Sequence, residues 1–267
     1  MPKFLHWSDL HLEFRPFDDI PSRSELPSDL SGILVAGDTD LKLRHIDFYE
    51  TLYDRFGVPV IATTGNHEYY GSKYWKHRRQ ELERLDGLRA HGKRVHVLHG
   101  DSVIVDGVRV IGATLWSNFR LYPEHACMAA NQARSMMNDY KKITWDRGGY
   151  RKLHPKDTIG LSTEERSRII SIARTEFDGP TVVLTHHAPV RDVIPDEFEQ
   201  STITAAYVND FFSEISDLKL SAWIHGHFHE AEDVDLPGDH GVIRVRSNSR
   251  GYPGEKTAFD PMKTIDV

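Results

Sequence analysis

The sequence predicts an α/β protein built around two β-sheets, and three observations carry the prediction. Five short apolar runs each end in a polar motif. Segments with helical periodicity lie between them, and turn signals joining alternating strands come later in the chain.

The apolar runs cover residues 3–7, 33–36, 58–62, 181–185 and 222–224. Short continuous runs of this kind suit strands covered on both faces. They are followed by Ser8-Asp9-Leu10-His11, Gly37-Asp38, Gly65-Asn66-His67-Glu68, His186-His187 and His225-Gly226-His227-Phe228-His229. Sites in layered α/β proteins form beyond the carboxyl ends of strands, so five such ends predict one converging site.

Between the runs, Ile46, Phe48, Tyr49, Leu52, Tyr53 and Phe56 fall near one helical face and predict a helix over 44–56. Leu82, Leu85 and Leu88 mark a stripe on a charge-laced helix over 72–91. There Lys73, Lys76, His77, Arg78 and Arg79 read as a solvated face, because Glu81, Glu83 and Asp86 follow them. Ser162-Thr163-Glu164-Glu165 has the form of a capping box and predicts a helix from there to about 177, stopped by Gly179-Pro180. A further helix is expected over 205–215. Asp106-Gly107 between apolar flanks predicts a two-residue hairpin, and Asp239-His240-Gly241 a turn into a strand. Residues 116–160, with a helical piece near 124–140, read as a lid-like insertion within a single domain spanning 1–267. No linker or repeat marks a boundary.

Hydrophobic content of 39% and charged content of 27% are those of a soluble globular chain with a sizeable core. A net charge of −7 excludes a general cationic surface for nucleic acid or anionic membrane. It leaves room for a phosphate site that carries its own metal charge. No apolar run is long enough to span a membrane and the first residues lack a signal-peptide core, so a cytoplasmic location is expected. The single cysteine, Cys127, supplies neither a disulfide nor a thiolate cage.

Three histidines in residues 225–229 point to metal chemistry, since residues two apart in an extended segment face the same way. Spacing alone does not choose among His225, His227 and His229. Together with Asp9, His11, Asp38, Asn66 and His186, the candidates are too many for one zinc-like ion and suit two ions sharing a carboxylate. Asp38 is the natural bridge. Neutral Asn66 keeps the cage positive toward an anionic substrate. Ligands without thiolate favour manganese, iron or zinc. Two such ions suit hydrolysis of a phosphate ester, with a binuclear aminopeptidase or amidohydrolase as the physical rival.

Asp9-Leu10-His11, Gly37-Asp38, Gly65-Asn66-His67-Glu68, His186 and Gly226-His227-Phe228-His229, in this order, resemble the five blocks of the calcineurin-like metallophosphoesterases. Met137-Asn138-Asp139-Tyr140 and Arg250-Gly251-Tyr252 are similar to a bacterial phosphodiesterase-type subgroup. The resemblance implies a metallo-dependent phosphatase fold, a four-layer α/β/β/α sandwich with two mixed β-sheets. It also implies that Asp9, His11 and His229 hold one metal and Asn66, His186 and His227 the other, with Asp38 between them. His67 would lie near the leaving group.

The activity so implied is dimetal-dependent hydrolysis of a small phosphoester by in-line attack of a metal-bridging hydroxide, with a phosphodiesterase favoured. A phosphomonoesterase, a nuclease or a non-catalytic metal-binding module on the same fold are the alternatives. Gly37-Asp38-Thr39-Asp40-Leu41 lacks both the Gly-Asp-x-x-Asp form and the Arg-Gly of protein phosphatases, which speaks against that activity. His187, Asn118, Tyr140 and Arg250 are the expected substrate contacts. His6 is expected in the core, and His225 as a support at the strand end.

Overall fold

Alternation along the strands sorts the apolar side chains into three layers, and these layers define the architecture. The computed structural model describes residues 1–267. Strands β1 (Lys3–Trp7) and β2 (Leu30–Ala36) lead to helix α1 (Arg44–Phe56), then β3 (Val60–Thr63), α2 (Tyr74–Ala90) and β4 (Val95–Leu98). These strands are parallel to one another. Strands β5 (Asp101–Val105) and β6 (Val108–Ala113) form the expected hairpin. Asp106 and Gly107 both have positive φ, 48° and 77°, as a twist-matched two-residue turn requires.

Helices α3 (Ala126–Met136) and α4 (Asp139–Lys142), the small hairpin β7 (Thr144–Trp145) and β8 (Arg151–Lys152), and helix α5 (Pro155–Ala173) follow. The chain then forms β9 (Thr181–Thr185), α6 (Phe212–Ile215), β10 (Ala222–His225), β11 (Val234–Gly238), β12 (Gly241–Ser247) and β13 (Thr264–Asp266). One sheet has the order β13-β1-β2-β3-β4 and the other β11-β12-β10-β9-β6-β5. Both are mixed, with β13, β11 and β5 antiparallel at edges.

Phe4, Leu34, Ala36 and Ile61 of the first sheet meet Val110, Val182, Leu184 and Ile224 of the second in an inner layer. The alternate residues of the first sheet, Leu5, Trp7, Ile33, Val35 and Val60, face outward onto Ile46, Tyr49 and Leu52 of α1 and Leu85 and Leu88 of α2. Ile111, Val183 and Trp223 of the second sheet face Leu161 and Ile169 of α5 and the apolar residues of 116–160. A period of two along each strand thus puts its two faces into different layers. The result is an α/β/β/α sandwich. No helix is long and apolar enough to cross a membrane.

Three helix expectations need correction. Helix α5 starts at Pro155 rather than at 162, with His154 and Asp157 forming the reciprocal cap. Ser162 lies inside the helix, and the Glu165 carboxylate accepts the Leu115 N–H at 2.8 Å. A tertiary partner therefore takes the acid that a capping box would use. The helix stops at Ala173 because Arg109 donates to the carbonyls of Ala173 and Thr175 at 3.2 and 3.0 Å, closing its negative end.

The helix expected over 205–215 is broken. Asn209 N–H and Phe211 N–H donate to the carbonyls of Ala188 and Pro189, both at 2.9 Å, so that a 3₁₀ turn ends at Ala206 and only Phe212–Ile215 is α-helical. The helical piece near 124–140 is likewise interrupted at Met137, whose backbone is extended.

Leu34, fully buried between the sheets, tests the layered core. Leu34→Ala should cost about 2–5 kcal/mol of stability, read from the urea unfolding midpoint at constant m. A loss below about 1 kcal/mol would mean that the two sheets do not close tightly at this point.

Candidate metal centre

Five strand ends deliver the candidate residues to one edge of the sandwich. β1 leads into Asp9 and His11, β2 into Asp38, β3 into Asn66 and His67, β9 into His186 and His187, and β10 into residues 226–229. The loops are stitched together, with Asp9 N–H donating to Gly37 O, His11 N–H to Asp38 O and Gly226 N–H to His186 O, each at 3.0 Å. Asp9, His11, Asp38 and His227 have φ of 52°, 47°, 53° and 66°, a left-handed backbone that costs energy in residues other than glycine. Two glycines are required by close approach. A Cβ on Gly65 would stand 2.1 Å from Asp38 Oδ1, and one on Gly226 would stand 2.5 Å from Asp9 Oδ2.

Two sets of donors converge. Asp9, His11 and His229 form one, and Asp38, His186 and His227 the other, with the donor atoms of each set within 4.8 Å of one another, a spacing that His11, Glu13 and His67 also meet. Asn66 Oδ1 adjoins the second set, 3.1 Å from His186 Nε2. Asp38 stands between the sets, with Oδ1 3.4 Å from His186 Nε2 and Oδ2 3.9 Å from His11 Nε2. Within the sets, ring nitrogens face each other directly, His186 Nε2 and His227 Nδ1 at 3.1 Å and His11 Nε2 and His229 Nε2 at 3.4 Å. Buried carboxylates ringed by inward-facing imidazoles are the donor chemistry of a divalent cation. Cys127 is exposed and takes no part. The residues fit two cations.

Burial would raise the Asp38 carboxyl, but the rings of His186, His67 and His11 hold it well below the usual carboxylate range. Burial would lower His186 and His229, but Asp38 and Asp9 pull His186 up to about 9, and Asp9 with Glu255 pulls His229 up to about 10. Protons thus neutralise the cage in the cation-free chain, and cation binding must release them.

The shell around the donors is built by residues to which the sequence assigned no part in holding the donors. Asp139 accepts from Asn66 Nδ2 at 2.7 Å and from the Tyr70 hydroxyl at 2.6 Å, which turns the Asn66 oxygen toward His186. Ser249 donates to Asp9 Oδ2 at 2.8 Å, and Glu255 accepts from His229 Nδ1 at 2.6 Å. Glu68 accepts the N–H groups of Thr39 and Gly65 at 2.7 and 2.8 Å, tying the β2 and β3 loops together. Burial and the neighbouring Asp38 push the Glu68 carboxyl up to about 7.

Glu13 Oε1 accepts from His67 Nδ1 at 2.5 Å and from His11 Nδ1 at 3.3 Å. Burial works against the charge of Glu13, but these two bonds bring its carboxyl down to about 2. Glu13 follows His11 at the same two-residue spacing that separates Asp9 from His11, so that spacing could have found it.

The expected substrate contacts lie apart from the donors or behind them. Arg250 spends its guanidinium on the carbonyls of Leu10, Arg15 and Pro16 at 3.0, 3.3 and 2.5 Å, and so secures the β1 loop rather than meeting a phosphate. His187 is buried behind the donors, its ring 4.1 Å from that of His227 and its Nδ1 bonded to Thr114 O. Tyr140 is buried with its hydroxyl on Thr158. Asn118 lines a separate cavity with Cys127 and Arg166. His6 is buried in β1, and His225 bonds through Nδ1 to Gly226 O at 3.2 Å.

A family model described as calcineurin-like phosphoesterase matches residues 2–231. The phosphopantetheinyl hydrolase of Mycobacterium tuberculosis shares the fold with a TM-score of 0.66 at 15% identity, over 94% of this chain and 90% of that one. A dimetal phosphatase from Danio rerio aligns with a TM-score of 0.43 at 13% identity, over 93% of this chain and 87% of that one. No curated protein matches the sequence.

Cation uptake can be read without any substrate. Mn²⁺ at about 100 times its Kd should stabilise the chain by about 2.7 kcal/mol, a rise of about 5–10 °C in Tm by calorimetry. Asp38→Asn should lose most of that rise, and a Tm indifferent to Mn²⁺ in the unmodified chain would contradict the donor assignment.

Proposed function

We propose, for a chain that belongs to the calcineurin-like phosphoesterase family and is thereby a metal-dependent hydrolase of phosphoester bonds, that its substrates are small phosphodiesters. Asp9, His11 and His229 would hold one cation and Asn66, His186 and His227 the second, with Asp38 serving both. The observation that carries this reading is the placement of Asp38, whose two oxygens face different donor sets.

Bound in these sets, two cations would supply the Lewis acidity and positive charge that hydrolysis of an anionic ester needs. The oxygen and nitrogen donors suit manganese, iron or zinc. The chain itself supplies the proton handling. His67 Nε2 lies 3.8 Å from Asp38 Oδ2, at the edge of the cage, while its Nδ1–H is held by Glu13. Burial would lower His67, but Asp38 and Glu13 raise it, and a proton on Nε2 would stand where a departing oxygen could take it.

The diester reading rests on charge. Arg250 is occupied by backbone carbonyls, so the second negative charge of a monoester finds no guanidinium there. A net charge of −7 also disfavours a long nucleic-acid strand as substrate.

Bis(p-nitrophenyl) phosphate should be hydrolysed faster than p-nitrophenyl phosphate by the Mn²⁺-loaded protein, and the reverse order would contradict the diester reading. Asp38→Asn should abolish turnover with an unchanged circular dichroism spectrum. His67→Ala should lower kcat about 10²–10⁴-fold with metal content retained.

Glu13→Gln should lower kcat by a smaller factor, and adding it to His67→Ala should cost little more, since both act through one ring. Additive losses in that double variant would separate Glu13 from His67.

A further inference from the structure

We propose that the cleft beside His67 receives the leaving group of the ester, and that this group is a nucleoside. The inference rests on the phosphodiester reading above and names its substrate class. The cleft has a volume of about 500 Å³, and His67 forms the part of its wall that adjoins the donor sets. Whatever part of the ester extends past His67 therefore falls into it.

Its lining is part aromatic and apolar and part polar, with Glu13 and His67 in the wall beside Phe14 and Tyr252. Phe14 and Tyr252 stand on opposite loops with their ring centroids 5.6 Å apart at 82°. Phe14 is 55% exposed and Tyr252 36% exposed, while most large apolar side chains of the strands and helices are buried. An aromatic ring left in water beside a reaction centre is a stacking surface for a planar ligand.

Neither ring is loosely placed. Tyr252 stacks on His11 at 4.4 Å and 28°, and its hydroxyl is 3.0 Å from His67 Nε2. Phe14 follows Glu13 directly and lies 6.3 Å from the His67 ring. Leu41 and Pro253 complete the apolar wall, and Asn138 and Lys142 add polar donors, Lys142 Nζ standing 5.1 Å over the Tyr70 ring.

A planar base can stack on the exposed ring of Phe14, with Tyr252 set edge-on beside it, and its sugar and ring edges can meet Asn138 and Lys142. The volume admits a base with its sugar. In the reaction so described, the P–O bond to the nucleoside oxygen breaks and a P–O bond from water forms. The nucleoside oxygen leaves with a proton from His67 Nε2, and the remaining proton of water restores His67. Atoms and charge balance without a further reactant.

The test compares two diesters with the same leaving oxygen, adenosine 5′-(methyl phosphate) and methyl ribofuranoside 5′-(methyl phosphate), on the Mn²⁺-loaded full chain. The nucleotide should show a kcat/KM at least about tenfold higher, with adenosine and methyl phosphate as products. Phe14→Ala should bring the ratio of the two substrates to about one, and Phe14→Tyr should keep it. Because Phe14 is exposed, a Tm close to that of the unmodified chain will show that Phe14→Ala is folded. Titration calorimetry should show adenosine binding and ribose not binding, and Phe14→Ala should weaken adenosine about tenfold.

Equal kcat/KM for both diesters, or a ratio unmoved by Phe14→Ala, would overturn the cleft assignment while hydrolysis of bis(p-nitrophenyl) phosphate leaves the diester reading standing. Failure to hydrolyse any diester would overturn both.

Discussion

Asp38 is the constraint on which the rest of the site depends. A carboxylate with almost no contact with water is stable only among positive groups or strong donors. Here the His67 N–H donates to Oδ1 at 2.9 Å, while His186 and His11 approach the two oxygens from opposite sides. That arrangement demands that Gly65 carry no Cβ, that Glu68 tie the β2 and β3 loops together, and that two sheets present their ends at the same edge. Repulsion between Asp38 and Asp9, both buried, is offset in the cation-free chain by protons on His186 and His229. Cations would do the same work with fixed geometry.

The fold explains why such a concentration of charge survives. Three apolar layers fix the strands, and the strained turns at Asp9, His11, Asp38 and His227 sit immediately beyond strands whose side chains are almost all buried. Backbone strain of this kind persists where the surrounding structure over-determines it. Arg250 contributes by stapling the carbonyls of the β1 loop, and Asn248 by donating from Nδ2 to the carbonyls of His6 and Asp260, both at 2.8 Å. Residues far along the chain thus hold the first loop in place. The cleft next to His67 borders this frame, with Tyr252 held against His11 and His67.

Much of this was legible in the sequence for a physical reason. Buried parallel strands must be continuous apolar runs, so their ends could be counted, whereas the two-residue spacing of Asp9 with His11 and of His227 with His229 presumes an extended segment and Asp9, His11 and His227 lie in left-handed turns. What was not legible came from tertiary contacts. Nothing near Asp139 signals that it will orient Asn66 from 73 residues away. Glu165 has the sequence position of a capping acid but accepts the Leu115 N–H, and the Arg250 guanidinium goes to the carbonyls of Leu10 and Pro16. Glu13 obeyed the readable spacing, but only the ring of His67 beside it gives it a role.

The central claim is that Asp38 joins two cations into one centre. Electron paramagnetic resonance of the chain loaded with two equivalents of Mn²⁺ tests this directly. Two cations joined by Asp38 should give the broad signal of a spin-coupled pair, collapsing to the six-line spectrum of isolated ions in Asp38→Asn. A six-line spectrum in the unmodified protein at full loading would contradict it.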